Sequence, residues 1–384
     1  MPPTPTTGPI PSRTSLPPSE SAERLAYLAL ALVPGLGARR LAALLSTFGS
    51  ATAVLSARLS DLAAVSGVPR SVVEGIRRAR PDQVPPLLAR AAKLGQKVLT
   101  PASADFPAGL RSIPDPPIAL WVRGRIDLLT LPAVAIVGSR DHTPYGEEVA
   151  RVVATAAARA GIAVVSGMAR GLDAVAHEAA LDAGGATIGV LGNGADIPYP
   201  SVNRPLYQRV VKHGLLLTEH QPGEEARPAA FPRRNRLISG LARAVVVVEA
   251  ADGSGTMLTV SAALEQGRDV LVVPGPITSA TSRGTNRLLR EGATPLLDVA
   301  DLLTLFGATA EPATAGPADP PPCTLSPTEA RVYDALSYGG RHTDELALTV
   351  GIPVGELLGT LLGLEIGGLA QALPGGHFRR TARR

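Results

Sequence analysis

The segment 134-VAIVGSRDHTPYGEEVARVVATAAARAGIAVVSGMARG-171 decides the fold of this chain. It contains two short aliphatic runs, 134–137 and 163–165, on either side of a stretch with the spacing of a helix. Further runs of the same kind follow at 187–191, 215–218, 245–249 and 270–273. Continuous apolar strands that alternate with helices are typical of a parallel sheet covered on both faces. We therefore predict an α/β core with an open parallel sheet.

Loops rich in Gly, Ser and Arg follow most of these strands. In an open parallel sheet, the loops at the carboxyl ends of the strands gather at one edge. Small residues there expose backbone N–H groups, and the N-terminus of the next helix favours negative charge. The arginines of these loops are Arg140, Arg170, Arg233, Arg234 and Arg236. The sequence therefore predicts a site for a ligand with several phosphates at this edge.

The loop after the first strand contains Gly138, Ser139 and Arg140. We expect their amides and the guanidinium to form a phosphate-binding nest, although a tight turn with a surface arginine would have the same sequence. A dinucleotide-binding protein would have G-x-G-x-x-G at this point, and the pattern is missing. The chain also lacks the G-x-x-x-x-G-K-[ST] pattern of a P-loop for ATP.

The loop after the second strand repeats the arrangement, with the candidate residues Ser166, Gly167, Arg170 and Gly171. Asp173 and His177 lie four residues apart on the following helix and therefore share one face. They could act as an acid/base pair. We favour the other interpretation, in which Asp173 braces the loop and His177 packs beneath it. The sequence has no nucleophile elbow and no cluster with metal-ligand spacing, so we predict neither an enzyme nor a metal or cofactor.

A third loop at the same edge carries Tyr199 and Asn203, which we also predict to contact the ligand. Aromatic residues are scarce, at 3% of the chain. Tyr145, Tyr199 and Phe231 nevertheless all lie on or beside the predicted edge. If the ligand carries bases, these rings are the candidates for stacking.

The segment 231–236 is the most basic part of the core, and we read it as a fourth loop. Arg233, Arg234 and Arg236 would repel one another unless an anion or a carboxylate pairs them. We expect one or two of them to brace the sheet through carboxylates such as Glu219 or Glu249. The remainder should contact the ligand.

Composition sets the broad class of the protein. The chain has 384 residues, 45% of them hydrophobic, and no apolar run approaches the roughly 20 residues that span a bilayer. The first 21 residues lack the pattern of a signal peptide, and the single cysteine, Cys323, excludes an internal disulfide. We therefore expect a cytoplasmic protein with no membrane contact. Positive charge is almost entirely arginine, whose planar fork suits phosphate.

The chain divides into five predicted regions. A disordered tail, 1–21, precedes a small helical domain, 22–82, with two similar turns at 33–37 and 65–69. These turns resemble a pair of helix-hairpin-helix motifs, and a sterile-alpha-motif-like (SAM-like) bundle fits as well. The α/β core follows at 83–307, and we expect its stretch 84–98 to be helical. An Ala/Pro-rich linker, 308–323, leads to the last domain, 324–380.

The last domain has the order of a winged helix, with three helices and a hairpin around 374–376. Its third helix has no Lys or Arg before Glu365, and such a helix gains no electrostatic attraction to DNA. We therefore expect a partner-binding or accessory role. Whether the N-terminal hairpins or this domain contact DNA stays open.

Together these motifs resemble the DprA family of DNA-processing proteins, also called Smf. The resemblance rests on 134-VAIVGSR-140, 166-SGMARGLDAVAH-177, 231-FPRRNR-236, 253-GSGT-256 and 273-VPG-275, which occur in the family's order across roughly residues 100–305. It implies an extended Rossmann-like core with an N-terminal helical module and a C-terminal winged helix. It also assigns the first two loops to phosphate binding and 233–236 to a basic motif.

The resemblance further implies the function. Members bind single-stranded DNA without strong sequence preference, protect it, and load the RecA recombinase past single-strand-binding protein during natural transformation or recombination. They usually form homodimers through the Rossmann-like domain. The lysines that often contribute to the family's binding groove are absent here, so arginines must supply that charge.

A nucleotide-processing enzyme on a similar fold is the alternative. The phosphoribohydrolases often labelled lysine decarboxylases carry P-G-G-x-G-T-x-x-E, in which the glutamate is catalytic. In this chain the corresponding turn, 252–259, places Thr259 where that glutamate would be. A threonine is no general base at neutral pH, which favours a binding protein.

Overall fold

The computed structural model describes residues 18–308, 325–337 and 340–380. Most of the predicted tail and linker, together with Cys323, lie outside these ranges; α1 begins at Pro18, within the last residues of the predicted tail. The chain divides into two compact units, Met1–Ser103 with Asp115–Leu120 and Ala104–Pro114 with Trp121–Arg384.

The first unit is a helical bundle followed by one strand. Its elements are α1 (Pro18–Ala31), α2 (Ala38–Phe48), α3 (Ala51–Ser56), α4 (Leu59–Ala64), α5 (Arg70–Arg78), α6 (Val84–Lys93) and β1 (Gln96–Leu99). The two predicted turns lie side by side, because Arg40 donates hydrogen bonds to the carbonyls of Gly35 and Gly67. The prediction of a helix over 84–98 is wrong at its end. Gly95, at φ +69°, follows the helix, and β1 begins one residue later.

The second unit contains the α/β core. Its strands are β2 (Leu120–Gly124), β3 (Ala133–Val137), β4 (Ala163–Ser166), β5 (Thr187–Val190), β6 (Leu215–Thr218), β7 (Ala244–Val247), β8 (Asp269–Val272) and β9 (Thr294–Pro295). Its helices are α7 (Ala108–Arg111), α8 (Pro144–Arg159), α9 (Leu172–Asp182), α10 (Arg204–His213), α11 (Ala230–Leu241), α12 (Thr256–Glu265), α13 (Arg283–Arg290) and α14 (Val299–Leu305).

The sheet of this unit is mostly parallel. Its strands lie in the order β2-β6-β5-β4-β3-β7-β8-β9, and only the β2–β6 pair is antiparallel. The chain moves from β3 outwards to β6 and then returns to place β7 on the other side of β3. This reversal creates a crevice at the carboxyl ends of β3 and β7, the position at which open α/β sheets bind ligands.

Helices cover the sheet because its central strands are apolar on both faces. All five residues of β3 are buried, and two of them, Val134 and Ile136, share a core cluster with Ala150, Ala154, Ala157 and Ala158 of α8. The small alanine side chains let α8 approach closely both the sheet and α9. The observed layers therefore confirm the predicted α/β class.

One predicted loop is a helix. Residues 231–236 belong to the first turns of α11, which begins at Ala230. Pro232 is compatible with helix at this point because the first turn of a helix needs no N–H donor there. The consequence is geometric, since successive residues of a helix point about 100° apart and the three arginines cannot share one direction.

The last domain is a winged helix, as predicted. It consists of α15 (Pro327–Ala335), β10 (Arg341–His342), α16 (Thr343–Val350), α17 (Val354–Ile366), β11 (Ala370–Leu373) and β12 (His377–Arg380). The strands form a small sheet in the order β10-β12-β11, and Leu346, Leu357 and Leu361 are fully buried in the core. In the described part of the chain, no single helix has the length and apolar composition to cross a membrane. Among the described helices, only α16 and α17 taken together have that length and composition, and the chain bends by 104° between them.

Candidate nucleic-acid interface

The first loop closes the crevice between β3 and β7. A Cβ atom at Gly138 would clash with Leu172 Cδ1 and lie 3.2 Å from the carbonyl oxygen of Glu249, so a larger residue would require Leu172 to move. The Ser139 hydroxyl donates to the carbonyl of Asp141 at 2.9 Å and accepts from its amide at 3.1 Å. The loop is thus held by its own serine, and its Arg140 side chain is exposed.

The N-terminus of α8 already holds a negative charge. Glu249, 2% exposed at the end of β7, accepts hydrogen bonds from the Thr143 amide at 3.0 Å and from the Thr143 hydroxyl. Gly146 leaves the space for it, since a Cβ there would lie 2.5 Å from Glu249 Cδ. The expectation that this helix N-terminus attracts a ligand phosphate is therefore not met at α8. The carboxylate of Glu249 takes that position from inside the protein.

The second loop is braced from below. The Asp173 carboxylate accepts hydrogen bonds from the amides of Gly167 at 3.1 Å and Ala169 at 3.4 Å. Arg234, 7% exposed, donates to the carbonyls of Gly167, at 2.6 Å, and Val190. Ser166 is fully buried and donates to the Ile136 carbonyl at 2.7 Å. Ser166, Gly167 and Arg234, all predicted to contact the ligand directly, therefore take part in hydrogen bonds that hold the second loop in place.

Burial shifts the pKa values of Asp173 and Arg234, the two ionisable groups that hold the second loop. It raises the pKa of Asp173, while Arg234 and the two loop amides oppose the shift. It also lowers the pKa of Arg234 to about 10, which leaves the guanidinium charged at neutral pH. The two groups flank Gly167, where a Cβ atom would lie 2.6 Å from each. The small residue is needed for this pair of charges, which the sequence alone did not reveal.

His177 plays no acid/base role in this arrangement. It is fully buried, and its Nδ1 lies 2.6 Å from the Thr187 hydroxyl. Burial, and to a lesser extent the charge of Arg234, lower the pKa of His177 to about 3, so the ring is neutral in the folded protein. The favoured interpretation of Asp173 and His177, as a brace and a packed side chain, agrees with these contacts.

The first and second loops are joined to each other. Gly171 has φ +83°, and a Cβ there would lie 2.5 Å from the Ser139 carbonyl oxygen and 2.6 Å from that of Arg140. The Leu172 amide donates to the Ser139 carbonyl at 3.1 Å. Arg170, 59% exposed, pairs with Asp141 at 3.1 Å. Two exposed guanidiniums, Arg140 and Arg170, are therefore presented by one connected surface.

The third loop adds an aromatic platform to this surface. Asn203 donates to the carbonyls of Met168 at 3.0 Å and Ala169 at 3.1 Å, which ties the third loop to the second. Tyr199, 45% exposed, stacks on Phe231 with ring centroids 5.5 Å apart and an angle of 26°. Phe231 is half-buried near the start of α11 and supports the more exposed ring of Tyr199. Tyr145 is 42% exposed and donates to the Pro274 carbonyl at 3.1 Å.

The arginines of α11 separate as the helix requires. Arg233 is exposed, Arg234 is buried, and Arg236 binds both oxygens of Glu219 at 2.7 and 2.8 Å. One of three thus remains available to a ligand, and two are structural. The expected partner Glu219 is present. The other expected partner, Glu249, instead accepts hydrogen bonds from Thr143 at the N-terminus of α8.

We refer to Arg140, Arg170, Arg233, Tyr199 and Phe231 as the edge cluster. Sequence reasoning missed the role of Glu249 and did not foresee that Asn203 acts as a brace. Two features of the sequence could have indicated the role of Glu249. It is an acidic residue directly after a buried strand, and Thr143-Pro144 is a typical start of a helix.

Comparison with known proteins gives a consistent result. Residues 97–307 match the family described as DNA recombination-mediator protein A, and residues 316–376 match the DprA winged helix domain. A putative DNA processing protein DprA from Mycobacterium tuberculosis is 41% identical over 298 residues, which cover 73% of this chain and 76% of the relative. The DNA processing protein DprA of Streptococcus pneumoniae is 38% identical over 250 residues, covering 65% of this chain and 86% of the relative.

Solved structures agree with the sequence matches. DNA processing protein A from S. pneumoniae superimposes with a TM-score of 0.64 at 32% identity, covering 73% of this chain and 97% of that one. DNA processing protein A from Helicobacter pylori, a protein with a unique single-stranded DNA binding mode, has a TM-score of 0.51 at 30% identity. That match covers 55% of this chain and 95% of the other.

Proposed function

Since the chain belongs to the DprA family of DNA recombination-mediator proteins, we propose that it binds single-stranded DNA at the edge cluster. Its further role in this proposal is to protect the strand and to load RecA onto it in transformation or recombination. Single-strand-binding protein is then the competitor that RecA must displace. The protein acts as a homodimer through its Rossmann-like domain and without catalysis.

The observation that carries the DNA-binding proposal is the connected surface of the first three loops. Gly171 and the Leu172 amide join the first loop to the second, and Asn203 joins the second to the third. The exposed Arg140 and Arg170 therefore lie on the same surface as Tyr199, which is 45% exposed and stacks on Phe231. Guanidiniums suit backbone phosphates, and an accessible aromatic face suits an unpaired base.

The mode of recognition follows from these groups. Every base has a π-face, so stacking on Tyr199 gives little sequence preference. A duplex buries the faces of its bases, so it can use the arginines but not the ring. We therefore expect a preference for single strands and a marked decrease of affinity with salt, because counterions are released from the phosphates on binding.

Fluorescence anisotropy with a labelled oligonucleotide, single-stranded or duplex, in a salt series tests the proposal. The Arg140→Ala/Arg170→Ala variant should bind single strands at least tenfold more weakly and with a shallower salt dependence, because two phosphate contacts are lost. Arg159→Ala/Arg290→Ala is the matched control. It removes the same charge from exposed residues in the last turns of α8 and α13. Equal affinity of the edge variant and this control would show that the strand binds elsewhere.

RecA loading needs its own measurement. RecA ATPase activity on single-stranded DNA coated with single-strand-binding protein should start earlier when the protein is added, and the edge variant should lose this effect. A protein that binds DNA normally but leaves the RecA lag unchanged would separate the two halves of the proposal.

The alternative, a nucleotide-processing enzyme, has less support from the structure. Thr259, at the position of the rival family's catalytic glutamate, is 2% exposed within α12 and supplies no general base. We expect no release of base or ribose phosphate from nucleoside monophosphates. Sustained product formation by the purified protein would revive the enzyme hypothesis.

A further inference from the structure

The third helix of the winged helix has an exposed apolar ridge. Val354, Leu358, Leu362 and Ile366 of α17 are 42%, 45%, 56% and 81% exposed. They recur every four residues and therefore form one row along the helix surface. The opposite side of α17, including Leu357, Leu361 and Leu364, is buried in the core of the domain. The ridge is thus additional to what folding of the domain requires.

A groove of glycines runs beside this ridge. Gly355, Gly359 and Gly363 have the same four-residue spacing, one position further along the chain. A Cβ atom at Gly355 or Gly359 would meet nothing within 4 Å, and at Gly363 it would lie 3.6 Å from a Glu329 carboxylate oxygen. Glycine is the poorest helix former after proline, and no close neighbour within the domain requires these three. Rows of small residues at this spacing allow two helices to approach closely.

Charge excludes two classes of partner for this face. The residues of α17 include Glu356 and Glu365 but neither lysine nor arginine. Nucleic acid and anionic lipid surfaces both attract proteins through positive charge, so neither has an electrostatic reason to bind here. An uncharged ridge is compatible with an identical uncharged face.

We propose that α17 is a self-association surface, which pairs with α17 of a second copy of this chain. A ridge and a groove of the same spacing lie side by side on one helix. A two-fold axis across the middle of α17 therefore places the ridge of each copy in the groove of the other. Packing of four-residue ridges into four-residue grooves is the most common way in which helices cross. This contact is independent of DNA binding and of pairing through the Rossmann-like domain.

Disulfide trapping in the full-length protein tests the pairing. In a Cys323→Ser background, Leu362→Cys places a thiol near the proposed axis, and Asp334→Cys is the control on the exposed part of α15 in the same domain. Under mild oxidation the Leu362→Cys variant should form covalent dimers at least tenfold faster than the Asp334→Cys variant. Equal rates would overturn the proposal, whatever the DNA affinity of the protein.

A second variant distinguishes specific packing in the groove from nonspecific hydrophobic association. Adding Gly359→Leu to Leu362→Cys fills the groove and should reduce trapping to the control rate, although it increases the apolar area. Because a Cβ at 359 meets nothing, and leucine favours helix, the melting temperature should stay the same or rise. Leu358→Glu, at an exposed ridge position, should also prevent trapping. Trapping that persists or accelerates in Gly359→Leu would contradict the proposed packing.

Discussion

A methyl group at position 167 has no space beside the charges that hold the second loop. We expect Gly167→Ala to destabilise the fold by about 2–3 kcal/mol, because its Cβ would lie 2.6 Å from both Arg234 and Asp173. Thermal unfolding measures the effect. Gly255→Ala is the control, since its φ is −57° and a Cβ there meets nothing within 4 Å. If both variants melt alike, Gly167 is not required by the brace.

His177 makes stability depend on pH in one direction. Its pKa is about 3 in the folded protein and about 6.5 in the unfolded chain, because burial disfavours the charged ring. Below pH 6.5 the unfolded chain therefore binds a proton that the folded protein does not, and stability falls as the pH falls towards 3. Between pH 7 and pH 5, this residue should remove about 2 kcal/mol.

Denaturant unfolding of the natural protein and of His177→Gln at both pH values isolates this contribution. Glutamine keeps a polar group beside Thr187 but does not titrate, whereas all other groups, including Asp173, are common to both proteins. The natural protein should lose about 2 kcal/mol more than the variant between pH 7 and pH 5. An equal loss in both would show that His177 can be protonated without unfolding.

At the scale of the helix, the N-terminus of α8 is stabilised by the carboxylate of Glu249, which follows strand β7. We expect Glu249→Gln to destabilise the protein by about 1–2 kcal/mol, since it removes the negative charge at the end of the helix and one hydrogen-bond acceptor. Glu147→Gln is the control in the same helix turn, because that side chain is 39% exposed. Its effect should stay below about 1 kcal/mol. Chemical unfolding that ranks the two variants in the reverse order would contradict this role of Glu249.

The strands and helices were largely predictable because their signal is local. Each predicted strand of the parallel core overlaps an observed one, since a strand buried on both faces is a continuous aliphatic run. Residues 231–236 were misread because proline and three arginines are as typical of a loop as of a first helical turn. The short β1 was missed because 84–98 has helical composition up to Gly95, and only a positive φ at that glycine separates the two elements.

The candidate site was less predictable than the fold, because proximity in space decides it. Six of its predicted residues, Gly138, Ser139, Arg140, Arg170, Tyr199 and Arg233, lie in or beside exposed positions of the connected surface. Ser166, Gly167, Gly171, Asn203 and Arg234 instead make the contacts that join or brace these loops, and Arg236 pairs with Glu219. Nothing in the motif distinguishes Arg233 from Arg234. The two differ because α11 directs Arg234 towards the buried carbonyl of Gly167 and leaves Arg233 exposed.

At the scale of the whole molecule, the winged helix should be dispensable for the main contact with DNA. Removal of residues 324–384 should leave affinity for a short single strand within about threefold, because the edge cluster lies in the core and α17 offers no positive charge. Anisotropy measurements on the shortened chain check this. A loss of tenfold or more would make the last domain the principal DNA reader.

The cations of the edge cluster are all guanidiniums, and this has a consequence for regulation. The chain has only three lysines, at 93, 97 and 212, none of them in the loops of the cluster. Acetylating enzymes neutralise lysine amines and have no such target here, and methylation of arginine leaves its charge in place. Lysine acetylation therefore cannot reduce the electrostatic attraction of this surface. A change in the charge of this surface would have to come from another modification, such as phosphorylation of the hydroxyl groups of Ser139 or Tyr199.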